Sequence, residues 1–369
     1  MDRHAVWVAV PGGKEAVGYL FFLLANGRGG LCRQGASLYN QTLTQTGESR
    51  FVFLIRGLHN LRAAHRGCVA TIGNFDGVHL GHQAVFAALQ VRARRLGVPS
   101  LVITFEPQPM EYFRPAQAPA RLTRLREKLE AIAAYGIERV LLIRFDAEFA
   151  NLEAEVFIRD VLAEGLGIRH LFVGDDFRFG RGRSGDFDLL KAMGADHGFT
   201  VEGLATVEKD GCRVSSTRIR EALQDGDLAQ AALCLGRRYR ICGKVAHGNK
   251  RGRGIGFPTL NIALLRRSTP LRGVFAVQVL GLAAEPLPGV ANIGNRPTLA
   301  GDDRFLLEVH VFGFAAEVYG RHVEVDFVER IRDERRFESF DALREQIARD
   351  AQRAREILRI AAAEQRKSG

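Results

Sequence analysis

From Cys68 onward the chain alternates short, wholly apolar runs with longer stretches in which apolar residues recur every three or four positions. Cys68 to Ile72, Leu101 to Phe105, Val140 to Ile143 and His170 to Val173 read as buried strands. Gln83 to Leu96, Leu122 to Tyr135 and Glu153 to Leu162 carry helical spacing, and Glu221 to Gly236 continues a helix opened by Val214 to Arg220. Strands alternating with helices predict βαβ units and a parallel sheet, whose ligands sit beyond the carboxyl ends of the strands. The 73–82 turn, the Phe105 to Pro109 loop and the 174–180 loop all fall there. Near residue 235 the texture changes to short β-rich runs broken by glycine and proline: Tyr239 to Ala246, Gly273 to Leu280, Gly289 to Ile293, Phe305 to Phe312 and His322 to Val328. These predict a small antiparallel barrel, and the amphipathic stretch Ser339 to Ala363 a helix packed over it. Before Cys68 the pattern is poorest: Gly27 to Gly35 is glycine-rich, and Tyr39 to Glu48 is polar with no sustained period.

A length of 369 residues suits two domains, and 46% hydrophobic with 25% charged residues is ordinary globular composition. The excess of 52 Lys+Arg over 42 Asp+Glu, a net +10, invites a nucleic-acid reading. The bases are scattered among acids, however, as in Arg121, Arg124, Arg126, Glu127, Lys128 and Glu130, so charge alone decides nothing. Five cysteines with no C-x-x-C pair argue against a zinc site or a disulfide framework and fit a reducing cytoplasm. The apolar run Tyr19 to Ala25 is too short to span a bilayer and lacks the flanks of a signal peptide.

Two stretches of the first half carry candidate chemistry. In Thr71 to Gln83, T-I-G-N-F-D-G-V-H-L-G-H-Q, a strand ends at a turn and a helix opens, with His79 and His82 three apart on one helix face. Free N–H groups and the positive end of the helix dipole make such a corner an anion site. In V-S-S-T-R-I-R (214–220), Ser215, Ser216 or Thr217 caps a helix, and the hydroxyls with Arg218 and Arg220 gather a second anion site. Between them, G-D-D-F-R-F-G-R-G-R-S-G-D (174–186) mixes glycine, aromatic and arginine residues in a way that suits a nucleotide or flavin rim. In the second half, the glycine-rich basic loop 243–261 ends in Pro258-Thr259-x-Asn261. Backbone amides there can cradle phosphates, and a hydroxyl with an amide oxygen can hold hydrated Mg²⁺, although the spacing is not that of a Walker loop. On its residues alone, this loop is a basic turn that could equally bind nucleic acid.

The run G-x-F-D-G-x-H-x-G-H resembles the signature of the adenylyltransferase half of bacterial bifunctional riboflavin kinase/FAD synthetases. The 174–186 loop, S-S-T-R-I-R, P-T-L-N, Asn292-Ile293-Gly294-x-Arg296-Pro297-Thr298 and Leu307-Glu308-Val309-His310 follow in the family's order, so the resemblance covers roughly 51 to 369. It implies a Rossmann-like nucleotidyltransferase domain over 51–235 and a β-barrel riboflavin kinase domain with C-terminal helices over 236–369. Riboflavin would be phosphorylated by ATP to FMN in the second, and FMN adenylylated to FAD with release of pyrophosphate in the first. The resemblance assigns His79 and His82 to catalysis, with Gly73, Phe75, Asp76, Gly77, Ser216, Thr217, Arg218 and Arg220 on the ATP phosphates. It assigns Glu308 as the base of the kinase, Gly243, Gly248, Gly254 and Pro258 to its ATP loop, and Thr259 and Asn261 to Mg²⁺. Asp176, Phe177, Arg178, Asn292, Arg296 and Thr298 would meet flavin. Partners would be small molecules rather than nucleic acid or membrane, and the chain a monomer or weak homo-oligomer.

Two places depart from the family pattern: Gln108 stands where histidine is common, and F-G-F-A-A-E-V-Y-G (312–320) lacks the usual aspartates. Family members begin near the segment seen here at Arg56 to Leu61, so 1–50 is expected to be a poorly ordered extension. Two alternatives are a different nucleotidyltransferase on the same N-terminal fold and a nucleic-acid binder. The second predicts aromatic and basic residues interleaved on the barrel strands.

Overall fold

The computed structural model describes residues 39–43, 49–174, 176–247, 257–264, 266, 268–297 and 303–368. Its first part is a seven-stranded sheet. In chain order the strands are β1 (Tyr39–Leu43), β2 (Ser49–Arg56), β3 (Val69–Ile72), β4 (Ser100–Glu106), β5 (Arg139–Arg144), β6 (His170–Gly174) and β7 (Thr200–Leu204). They lie side by side as β1-β2-β5-β4-β3-β6-β7. Pairs from β2 to β7 are parallel, and only β1 runs antiparallel, along the edge of β2. The chain winds from β3 to β4 in one direction and places β6 on the other flank of β3. This is the topological switch point at which such sheets bind ligands.

Apolar packing on the two faces accounts for the alternation read in the sequence. Phe86, Leu89, Leu129 and Ile132 from the helices Leu80–Leu96 and Leu125–Ala134 pack on one face with Val69, Val102 and Val140. Phe157, Ile158, Val161 and Leu190 cover Ala70, Ile103, Leu141 and Leu171 on the other.

Three local features differ from the expected pattern. The expected sheet lacked β1, β2 and β7; β7 is an edge strand with partly or fully exposed side chains, so no apolar period marks it. Instead of one helix after Val214 there are two, Ser216–Asp225 and Leu228–Leu235, separated by Gly226 in the left-handed region (φ 79°) and recapped by Asp227. Phe157–Gly165 is wound as a π-helix. Of the stretch 1–50, only 39–43 and 49–50 are described, as strands.

After a small hairpin, β8 (Glu208–Lys209) and β9 (Cys212–Arg213), and the two helices, the chain forms the barrel. Its strands are β10 (Arg240–Ala246), β11 (Leu260–Ala263), β12 (Gly273–Leu280), β13 (Leu287–Pro297), β14 (Asp303–Val311) and β15 (His322–Arg332). All neighbours are antiparallel, closed in the order β10-β11-β14-β13-β12-β15. Inward residues such as Ile262, Phe275, Ile293, Leu307 and Phe327 fill the interior. Outward Val274, Ala276 and Val290 are covered by Ala351, Ala354, Ile357 and Leu358 of the helix Phe340–Ser368, as its amphipathic pattern predicts. The barrel core is continuous with Leu122, Val214, Ile219 and Leu223 of the sheet part, so one apolar cluster joins the two.

Candidate functional site

The turn after β3 is shaped by a buried carboxylate. Asp76 is 2% exposed; it accepts from Leu122 N at 3.0 Å and from Thr123 N at 2.9 Å, and ion-pairs with Arg220 at 2.6 Å. Around it Phe75 and Val78 hold left-handed backbone (φ 48° and 44°), as does Gly77 (φ 86°). Non-glycine residues in that region cost about 1–3 kcal/mol each and persist only where neighbours over-determine them. The turn delivers His79 as the N-cap of the helix Leu80–Leu96, its Nδ1 accepting from His82 N at 3.4 Å. The two imidazoles stack with centroids 3.6 Å apart. Burial, opposed in part by Asp76, pushes His79 down to about 4, and burial beside His79 and Lys128 holds His82 well below its usual range. Burial thus favours the neutral form of both rings, in which each keeps one N–H to donate. His82 Nδ1 is buried without a partner, the kind of group a ligand satisfies.

These rings form one wall of a cavity of about 280 Å³ between the carboxyl ends of β3 and β6. Gly73, Phe75, His79, His82, Asp176 and Phe177 line it, together with Arg213 and Ser215. Asp76, Gly77, Arg178, Ser216, Thr217, Arg218 and Arg220 do not line it; Asp76 and Arg220 bind one another, and Ser216 Oγ donates to Asp76 O at 2.8 Å. Thr217 stands in the first turn of the helix Ser216–Asp225, and Arg218, whose N donates to Ser215 Oγ at 3.2 Å, keeps a buried guanidinium nitrogen without a partner. Phe177 stacks on Phe179, centroids 5.5 Å apart, and Phe157 and Phe149 continue this aromatic row. Arg178 turns to Asp186 at 2.9 Å. Gln108 is buried, its Nε2 unpartnered, at the start of the helix Pro109–Phe113.

Pattern reading overlooked Arg213, which the hairpin β8–β9 carries to the cavity; two-residue strands leave no apolar period to announce them. It also overlooked Lys128 as more than one base among many: wholly buried behind the turn, it is pushed down to about 8 by burial despite nearby Asp76.

On the barrel a second set of groups is assembled by register. Asn261 of β11 pairs with Glu308 of β14, which pairs with Asn292 of β13. Directly opposed residues share a face of the sheet, so three residues far apart in sequence form one row outside the barrel. Asn261 Nδ2 donates to Thr259 O at 3.5 Å, and the His310 ring lies 2.8 Å from Pro258 O. The Glu334 carboxyl bonds Asn292 and fills the space where a Cβ at Gly294 would stand; burial raises its pKa, and nearby Glu308 adds to the rise. Gly243 lies inside β10, where a Cβ would meet the Ile262 side chain at 2.5 Å, so the close approach of β11 requires a glycine there. Arg296 pairs through its backbone with Arg304. Gly248, Gly254, Thr298 and Asp175 lie outside the described residues. Among the described residues no cluster of three or more His, Cys, Asp or Glu could hold a metal. A hydroxyl and an amide oxygen, as on Thr259 and Asn261, are hard oxygen donors that suit Mg²⁺.

A parallel sheet with paired histidines at a helix N-terminus on its switch point, followed by a closed barrel, defines a nucleotide-dependent transferase of two catalytic parts. The FAD synthetase family matches residues 61–218, and the riboflavin kinase family residues 235–358. The bifunctional riboflavin kinase/FMN adenylyltransferase of Escherichia coli (strain K12) is 53% identical over 305 residues, covering 82% of this chain and 97% of the relative. That of Pseudomonas fluorescens is 52% identical over 304 residues, with the same coverage. A crystal structure described as a macrolide-efflux protein from Streptococcus pneumoniae has 31% sequence identity and a TM-score of 0.68, covering 81% of this chain and 97% of that one. The chain belongs to the bifunctional riboflavin kinase/FMN adenylyltransferase family, with the adenylyltransferase in its N-terminal part and the kinase in its C-terminal part. No described helix is long and apolar enough to cross a membrane.

Proposed function

We propose that the cavity between β3 and β6 takes ATP with FMN beside it, and that the Asn261, Glu308 and Asn292 row is the phosphoryl-transfer site for riboflavin. In the sheet part, an oxygen of the FMN phosphate bonds to the ATP α-phosphorus as the bond to pyrophosphate breaks. FMN is already an oxyanion, so no base need activate it. Neutral His79 and His82 donate N–H groups to the phosphate oxygens, and Arg218 with Thr217 and the amides of its helix meets the same charge from the opposite side. Asp76, Gly77, Ser216 and Arg220 shape this corner through the turn. Phe177 and the aromatic row behind it offer a stacking wall for the isoalloxazine, with Asp176 and Arg178 at its rim.

In the barrel, Glu308 takes the proton of the riboflavin 5′-hydroxyl while that oxygen bonds to the γ-phosphorus and the bond to ADP breaks. Thr259 and Asn261 would hold Mg²⁺, which when bound neutralises charge on the phosphates. Asn292 orients the substrate beside Glu308. The registered row carries this reading, since it sets a carboxylate between two amides. Substrates are small molecules, and four described cysteines are free thiols, which suits a cytoplasmic enzyme, monomeric or weakly self-associating.

A chromatographic time course with riboflavin, ATP and Mg²⁺ tests both parts together. FMN should appear first and FAD after it. FMN without FAD would remove the sheet assignment, and neither product would remove both.

A further inference from the structure

The turn bearing His79 is held from behind by residues of the kinase side. Arg237, in the connection leading to β10, donates from Nη2 to Gly77 O at 2.9 Å. Tyr239, 3% exposed, donates its hydroxyl to Leu122 O at 2.9 Å. Arg266, beyond β11, donates to the Tyr239 hydroxyl at 3.0 Å and to Arg121 O at 3.1 Å. Its other guanidinium nitrogen ion-pairs with Glu127 at 2.7 Å, both side chains being 5% exposed or less. Glu127 in turn accepts from Cys242 N at 3.0 Å.

The opposite ends of the same peptide groups bind the turn itself. Leu122 N donates to Asp76, whose neighbours Phe75 and Val78 hold left-handed backbone. Gly77 N donates to Thr123 Oγ1 at 3.0 Å while its carbonyl accepts from Arg237. A strained turn keeps its shape only where such contacts over-determine it; the kinase side supplies one of them directly, from Arg237 to Gly77 O, and through Tyr239 and Arg266 it holds the 121–123 peptides that bind Asp76. We propose that Arg237, Tyr239 and Arg266 are positioning residues for FMN adenylylation: the barrel completes the adenylyltransferase site by fixing the turn that aims His79. This rests on the reading that His79 and His82 act on ATP.

The test uses the full chain and measures both activities in each preparation. Tyr239→Phe keeps the ring and loses the hydroxyl bonds; Arg237→Ala loses the Gly77 contact, and Arg237→Lys can restore it. Tyr239→Phe should lower kcat/KM for adenylylation about tenfold, the scale of one or two buried hydrogen bonds. Arg237→Ala should lower it further, with Arg237→Lys partly rescuing. Riboflavin phosphorylation should stay within about twofold of the parent, because none of these residues stands in the Asn261, Glu308 and Asn292 row. Unchanged adenylylation in folded Tyr239→Phe and Arg237→Ala overturns the proposal. So does a parallel fall of both activities with melting temperature, which is what a purely structural role produces. His79→Ala with His82→Ala in the same assay separates the two layers. If that variant keeps full adenylylation, the parent reading falls and this proposal with it; if it alone loses activity, only the positioning proposal falls.

Discussion

The two candidate sites are built by opposite means. The barrel row of Asn261, Glu308 and Asn292 needs only three strands in register, because the pleat points opposed residues the same way. The sheet corner depends on a turn with two left-handed non-glycine residues, a carboxylate bonded to residues 46, 47 and 144 positions away, and contacts from the other catalytic part. A site made by regular pairing is robust to distant change. A site made of loops inherits the fate of everything that holds them.

The largest effect should come from the barrel row itself. Glu308→Ala should cut riboflavin phosphorylation by about 10²–10⁴-fold, the range for losing a general base, while FMN adenylylation persists. Loss of both activities by a folded variant would contradict the independence of the two sites. Next in size is Glu127→Ala, which strands the buried charge of Arg266. Removing one partner of a buried pair costs about 3–5 kcal/mol, so thermal unfolding should shift sharply downward. Adenylylation should suffer before phosphorylation as temperature rises; the reverse order would sink the contrast drawn here.

His79→Ala with His82→Ala should reduce adenylylation at least about 100-fold, as for lost oxyanion donors, leaving FMN as the end product of a riboflavin time course. FAD formed at the parental rate would show that the histidine wall is not the phosphate site. The smallest effect is on pH dependence. His79 has a folded value of about 4 against an unfolded value near 6.5, so the unfolded chain binds more protons between those limits. Stability should be full above about pH 6.5 and decline toward pH 4, by up to about 3 kcal/mol from this group. Urea melts of the parent and His79→Gln across that interval should differ in slope; identical slopes would mean that the imidazole is not buried neutral.

Much of the architecture was legible along the chain. Val69–Ile72, Ser100–Glu106, Arg139–Arg144 and His170–Gly174 centre on apolar runs because both faces of a parallel strand are covered. The stretch 305–311 alternates because one face looks inward, whereas Gly273–Leu280 is apolar on both faces because the C-terminal helix covers its outer side. What escaped notice lacked those signals: Thr200–Leu204 is an exposed edge, Leu260–Ala263 has only four residues, and Gly226 breaks a helix whose two halves share one period. The motifs H-x-G-H and S-S-T-R-I-R lie at one corner of the sheet, where the fold pairs Asp76 with Arg220, a partnership that neither motif announces.

By itself the sequence determined which strongly apolar segments become buried strands or helices and which chemical groups stand at the strand ends. Tertiary structure alone decided that Glu308 falls between Asn261 and Asn292, that Asp76 turns inward, and that Arg237, Tyr239 and Arg266 reach the other catalytic part. The physical reason is one of range. Periodicity records burial, which each residue expresses locally, whereas a buried charge or donor is satisfied by whichever distant partner the packed chain brings within about 3 Å.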